Sequence, residues 1–112
     1  MAAGLKRGDV IIVSAPGEYG KPLPAVIVQR DLTEPLESVV VCPLSSDLIV
    51  SRHVRPTIQP SSVNGLRAVS QVMADKIMAI QVRRTRGKIG DLAASDMEAV
   101  DSALAIMLGL TR

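Results

Sequence analysis

Apolar residues along this chain come in short runs separated by polar turns carrying glycine and proline, until the last twenty residues. Residues 10–13 (VIIV) follow an Arg-Gly-Asp turn, and so many β-branched residues in so short a run predict a buried strand. Residues 25–29 repeat the pattern after a Pro-Leu-Pro step, with Pro24 suited to the first position of a strand, where no ladder donor is yet required. Residues 38–42 form a third run, and the polar "RDLTEPLE" between the second and third reads as a loop. "SRHVRPTIQP" alternates weakly around a proline and predicts an edge strand. Beyond the Asn64-Gly65 turn signal, Leu66, Val69, Val72 and Met73, then Ile77, Met78 and Ile80, fit a helix or two short strands equally. The β-branched stretches around Asp75 and Lys76 favour two strands joined by a tight connection.

Near the end the period changes. Ser95 followed three residues later by Glu98 has the form of a capping box and predicts a helix over 96–108. Met97, Val100, Leu104, Met107 and Leu108 make its apolar stripe, Glu98, Asp101 and Ser102 its outer face, and Gly109 its stop. Several short strands followed by a terminal helix predict an α+β fold, mostly β: a small, partly open antiparallel barrel or roll in one domain. With no Phe or Trp and one Tyr among 112 residues, the core must come from Val, Ile, Leu, Met and Ala. A core that light gains from packing against a second copy.

The formal charge of +2 is too small to attract nucleic acid through the whole molecule, so that role would need local clusters: Arg52, His53 and Arg55, or Arg83, Arg84, Arg86 and Lys88. The single cysteine, Cys42, cannot form an internal disulfide and suits a reducing compartment. The opening "MAAGLKRGD" has no apolar signal core, and no run reaches the ~18 apolar residues of a membrane span. A cytoplasmic location without a membrane is therefore expected. One cysteine and one histidine give no zinc-like ligand spacing, so no metal site and no cofactor are expected. A Cys42–His53 nucleophilic pair is outweighed by a buried apolar thiol and a surface histidine. "CPLSSDL" leads out of the third strand through a proline into two hydroxyls and a carboxylate, which ordinary turn chemistry also explains.

In order and spacing, "KRGDVIIVSAPGEYGKPLPAVIVQ", "VVVCPLSSDL", "GLRAVSQVMADKIMAI" and "RGKIGDL" resemble the MazF/PemK family of toxin endoribonucleases, over nearly the whole chain. The resemblance implies a barrel shared with the CcdB group, a homodimer, metal-independent and sequence-specific cleavage of single-stranded RNA, and neutralisation by a cognate antitoxin. The antitoxin would be a disordered segment that folds over the active-site groove. In that family the strand after the first loop begins Arg-Pro, and the arginine stabilises charge on the scissile phosphate. Leu23 occupies the matching position here. Leucine offers phosphate no donor, so the resemblance implies a weakened or inactive nuclease.

The remaining assignments follow the same resemblance. Ser45 matches a hydroxyl that bonds the phosphate or the attacking 2′-OH, and Glu18 matches a loop glutamate that is a candidate base. Asp75 matches an aspartate catalytic in one branch, but the arginine two residues before it there is Met73 here, which favours a structural role capping the turn. Lys21, Arg52 and Arg55 are candidate phosphate contacts, and Tyr19, the only aromatic residue, is the candidate for base stacking. Two alternatives stay open. One is a non-catalytic, CcdB-like binder of DNA gyrase, although the chain ends "MLGLTR" without an aromatic helix end; the other is a scaffold that binds only antitoxin.

Overall fold

The computed structural model describes residues 4–14, 21–31, 34, 36–51 and 53–110. Among the described residues there are seven strands: β1 (Asp9–Val13), β2 (Leu23–Ile27), β3 (Ser38–Ser45), β4 (Thr57–Ile58), β5 (Ser70–Val72), β6 (Met78–Gln81) and β7 (Thr85–Asp91). They make one curled antiparallel sheet in the order β4-β5-β3-β2-β1-β7, with β6 also on β3, and a C-terminal helix α1 (Ala94–Met107) lies against it. The mostly-β, partly open barrel expected from the sequence is the fold observed.

Strand period 2 explains why both sheet faces are apolar. Val10, Val26, Cys42, Leu44 and Val72 point towards α1, while Ile11, Val13, Ala25, Ile27, Val39 and Val41 point to the opposite face. The first core is closed by Val100, Ala103 and Leu104 of the helix, and the second by Ile80 of β6. No single core has to be large, which suits a chain without Phe or Trp.

β3 has two partners along one edge: Ser38–Val41 pair with β6, and Leu44 and Ser45 pair with β5. Pro43 falls at that junction. Its carbonyl accepts from Met73 N–H (2.9 Å), and a residue's N–H and C=O point to the same side of a strand. The missing donor of Pro43 therefore faces Met73, whose carbonyl accepts from Lys76 N–H (3.0 Å) instead, so no acceptor is left unpaired there. For that reason the third strand continues through Pro43 to Ser45, three residues past the boundary expected at Cys42.

The Arg-Gly-Asp turn that opens β1 is structural. Arg7 Nε donates to Val28 C=O (3.0 Å), and its guanidinium is ion-paired to Asp101 on α1. The Gly8 N–H donates to Ile27 C=O (2.8 Å), and its carbonyl accepts from Leu92 N–H (2.8 Å). Asp9, 3% exposed, accepts from Lys6 N–H (2.8 Å) and from Lys88 Nζ (3.2 Å), while Lys88 also reaches Asp91 (2.8 Å).

The sheet's two ends meet without a ladder. After β4, the turn at 61–65 docks on β7, with Asp91 N–H donating to Val63 C=O (2.9 Å). A Cβ at Gly90 would stand 2.5 Å from the Asn64 carbonyl oxygen, and one at Gly65 2.9 Å from the Ile89 carbonyl carbon, so backbone meets backbone at two glycines. Gly65 also sits at φ +71°. Buried Asn64 fixes the turn: its Oδ1 accepts from Ser61 N–H and Leu66 N–H (3.0 Å each), and its Nδ2 donates to Gln59 C=O (2.9 Å). The Asn-Gly signal thus marks a closure of the barrel.

Several expectations are corrected. The helix begins at Ala94 behind Ala93, and no side chain caps it; Ser95 lies inside the first turn, so there is no capping box. That turn is largely exposed, and water can take its unpaired N–H groups. The stripe buries Val100, Ala103 and Leu104, whereas Met107 and Leu108 are about half exposed, because the last turn overhangs the sheet. Gly109 does end the helix, at φ +71°: its N–H donates to Ile106 C=O (3.2 Å) and Leu110 N–H to Ala105 C=O (2.8 Å), a Schellman closure. The second strand starts at Leu23, with Pro24 in second place. Thr57–Ile58 is an edge strand as expected, and β5 and β6 are two strands joined by a tight 3-10 turn, Ala74–Lys76. β7 was not anticipated, since its sequence TRGKIGD has neither alternation nor an apolar run.

Candidate active site

The Pro-Leu-Pro step shapes the sheet rim. The Val28 N–H donates to Val40 C=O (3.1 Å), and the same β2–β3 register pairs Val26 with Cys42 and Ala25 with Pro43. The bonding partner alternates along a strand, so two residues beyond Val26 it would be Pro24 N–H that reaches Leu44 C=O. Proline has no such donor. The Pro24–Leu44 pair therefore lacks one of its two bonds, and the β2–β3 pairing stops short of the rim.

Leu23 and Ser45 stand at that rim. Carried outward from Ala25 and Pro43, the register sets Leu23 opposite Ser45, and residues opposite each other share a face. The row extends in both directions: Leu23 pairs with Val13, Val13 with Thr85, Ser45 with Gln71, and Gln71 with Thr57. Leu23 is half-buried and packs against the Ile11–Ile27 core. Neighbouring Lys21 is exposed.

The half-buried Ser45 hydroxyl accepts from Asp47 N–H (3.0 Å), the local turn bond that its sequence setting allowed. Its proton reaches the Asp47 C=O only at 3.5 Å, and because a hydroxyl rotates and keeps a second lone pair, Ser45 can still contact a ligand. Leu48, Ile49 and Val50 follow, all exposed, Val50 at 99%.

Asp75 lies in the 3-10 turn and binds Arg55 in a fork: Nε to Oδ1 and Nη2 to Oδ2, both 3.0 Å. The Arg55 hydrogen bonds hold the Asp75 carboxyl below its ordinary range, against the opposing effect of burial. The pair latches residues 53–56 to 74–76, assisted by Ala74 N–H donating to Val54 C=O (3.0 Å). Two donors of Arg55, expected as a phosphate contact, are thereby directed to Asp75. Cys42 is fully buried, and burial, with Asp75's negative charge as the smaller cause, pushes its thiol up to about 12. A thiol this reluctant to ionise is no nucleophile. His53 is exposed.

Glu18, Tyr19 and Arg52 lie outside the described residues. Among the described residues, no group of three or more His, Cys, Asp or Glu could hold a metal ion, and no helix is long and apolar enough to cross a membrane. A cavity of about 380 Å³ lies under the end of α1, between Arg7, Val40, Ile77 and Leu104; neither Leu23 nor Ser45 lines it. Sequence reasoning missed Gln71 and Thr57 in the rim row. Gln71 left a trace, as a polar residue inside the short "SQV" strand.

Residues 6–108 match the model of the PemK-like, MazF-like toxin of type II toxin-antitoxin systems. The chain is 35% identical over 107 residues to the probable endoribonuclease MazF of Mycolicibacterium smegmatis (strain ATCC 700084 / mc(2)155), covering 95% of this chain and 98% of that protein. Among solved structures, Mycobacterium tuberculosis toxin MazF-mt6 superposes with a TM-score of 0.78 at 26% identity, over 93% of this chain and 99% of that one. A mycobacterial endoribonuclease in complex with its cognate antitoxin gives 0.77 at 23% identity, over 97% and 99%; at that identity the likeness concerns the fold.

Proposed function

Because the chain belongs to the family of PemK-like, MazF-like toxins of type II toxin-antitoxin systems, we propose that it is a sequence-specific, metal-independent endoribonuclease acting on single-stranded RNA in the cytoplasm, weakened by Leu23. It works as a homodimer and is neutralised by a cognate antitoxin laid over the rim. The observation that carries this reading is the β2–β3 rim, where the register faces Leu23 with Ser45.

The chemistry assigns each group a task. A base, for which Glu18 is the candidate, takes the proton of a ribose 2′-OH. The oxygen's electron pair forms a bond to the adjacent phosphorus, the P–O5′ bond breaks, and the departing 5′ oxygen takes up a proton, leaving a 2′,3′-cyclic phosphate. Ser45 donates to a non-bridging phosphate oxygen. Negative charge grows on that phosphate in the transition state, and a guanidinium at position 23 would neutralise it with a planar pair of donors. Leucine leaves the charge to solvent and Ser45. Lys21 supplies a diffuse phosphate attraction beside the site.

The test is Leu23→Arg, assayed on single-stranded RNA in the presence of EDTA, with the new RNA ends sequenced. Loss of a charge-stabilising group of this kind costs roughly 10²–10⁴ in rate, so restoring it should raise cleavage by that factor at defined short sequences. A folded Leu23→Arg protein that binds antitoxin yet leaves RNA intact would instead identify a scaffold.

A further inference from the structure

We infer that Gln71 is a positioning residue that holds the 46–51 segment across the rim as one wall of the RNA cleft, a role that rests on the ribonuclease reading above. β5 lies between β3 and β4, and its register sets Gln71 opposite Ser45 on one side and Thr57 on the other. Gln71 is 5% exposed, and a buried carboxamide must satisfy both its donor and its acceptor within the protein. Both are spent on a single residue: Nε2 donates to Ile49 C=O (2.9 Å), and Oε1 accepts from Ile49 N–H (3.0 Å). The side-chain amide thus does for Ile49 what the backbone of a neighbouring strand would do. Only one orientation of the amide satisfies both bonds.

The consequence follows from where Ile49 sits. The segment leaves the sheet at Ser45, whose hydroxyl fixes Asp47 N–H, and the Arg55–Asp75 latch secures the chain again at 55. Gln71 pins the stretch between those two points. Because Gln71 shares Ser45's sheet face, the pinned residue lies over that face, beside the hydroxyl. The segment between carries Ser46, Asp47 and three exposed aliphatic side chains, Leu48, Ile49 and Val50. Water-facing aliphatic groups on a tethered segment give a fixed apolar ledge against which an unstacked base can lie, next to hydroxyl and carboxylate groups able to bond base edges. Without the carboxamide, the ledge loses its place relative to Ser45.

Three variants test this in the Leu23→Arg protein, with amide hydrogen exchange, thermal unfolding and RNA cleavage measured on each. Gln71→Leu removes both bonds: exchange at Ile49 should rise at least tenfold, and KM for RNA should rise about tenfold with a smaller change in kcat, as expected of lost substrate contacts. Gln71→Glu retains an acceptor but as a carboxylate opposes the Ile49 carbonyl. When protonated, it again offers one donor and one acceptor, so its KM defect should recover as pH falls through the carboxyl's titration, while Gln71→Leu shows no recovery. Gln71→Asn, too short to reach, should resemble Gln71→Leu. Unchanged Ile49 exchange in Gln71→Leu would show that the carboxamide does not hold the segment. Faster exchange with KM unaltered in every variant would show that the segment is no part of the RNA cleft, while leaving the ribonuclease reading intact. Absence of cleavage by the Leu23→Arg parent would remove that reading, and the proposed role with it.

Discussion

Replacing Gly90 with alanine tests how the barrel is closed. The added methyl would stand 2.5 Å from the Asn64 carbonyl oxygen and closer still to the Asn64 carbonyl carbon and the Val63 oxygen. Since non-bonded carbon contacts settle near 3.5 Å or more, the 61–65 turn must retreat by roughly 1 Å. It cannot yield through a flexible side chain, because every atom met is backbone and Asn64 is bonded on three sides. Retreat breaks the Asp91 N–H to Val63 C=O bond, worth about 1 kcal/mol net, and overpacking adds about 1–3 kcal/mol. The expected loss is about 2–4 kcal/mol. With a urea m-value of about 1.5 kcal/mol/M, the unfolding midpoint should fall by roughly 2 M, with accelerated exchange of the Asp91 amide. A midpoint shift below roughly 0.5 M together with an unchanged Asp91 amide would refute the closure described here.

Asp75→Asn leaves the mostly buried Arg55 guanidinium without its carboxylate and should cost about 2–3 kcal/mol at neutral pH, less than a fully buried pair because Asp75 is partly exposed. The Asp75 carboxyl titrates lower in the folded protein than in the unfolded chain, so its contribution is complete above the unfolded value near ~3.9 and is lost as pH falls through the folded one. The difference in urea midpoint between parent and variant should therefore shrink from pH 6 down to pH 2.5; a constant difference would rule out the pair as its cause. Cys42 should resist alkylation by iodoacetamide at pH 8 in the folded protein and react at the rate of a free thiol in urea. Fast labelling of the native state would mean that the thiol reaches solvent.

Elements whose residues were chosen by burial were legible in the sequence. The runs at 10–13, 25–29 and 38–42 announce strands because a central strand needs both faces apolar. β7 gave no such signal: it is an edge strand, its charged side chains face solvent or Asp9, and its Gly90 answers to a turn some 25 residues away in sequence. The capping box failed because Ser95 and Glu98 have the right spacing whether or not the helix has already begun, and the backbone enters it two residues earlier, behind Ala93. At the candidate site, the substitution at position 23 could be read by resemblance, whereas Gln71 could not, since its partner is the backbone of a residue 22 positions away. The Arg55–Asp75 latch was hidden for the same reason.

The change of partner along β3 divides the rim between two mechanical bodies. Leu23 rides with β1 and β2, while Gln71 and Thr57 ride with β5 and β4, and Ser45 sits on the tongue of β3 that joins them beyond Pro43. With Pro24 lacking one of the donors that would stitch β2 to that tongue, the two bodies are joined there by one ladder bond fewer. A polynucleotide or an inhibitory peptide that touched both would therefore act as a cross-brace, tying the two bodies together where the ladder is one bond short.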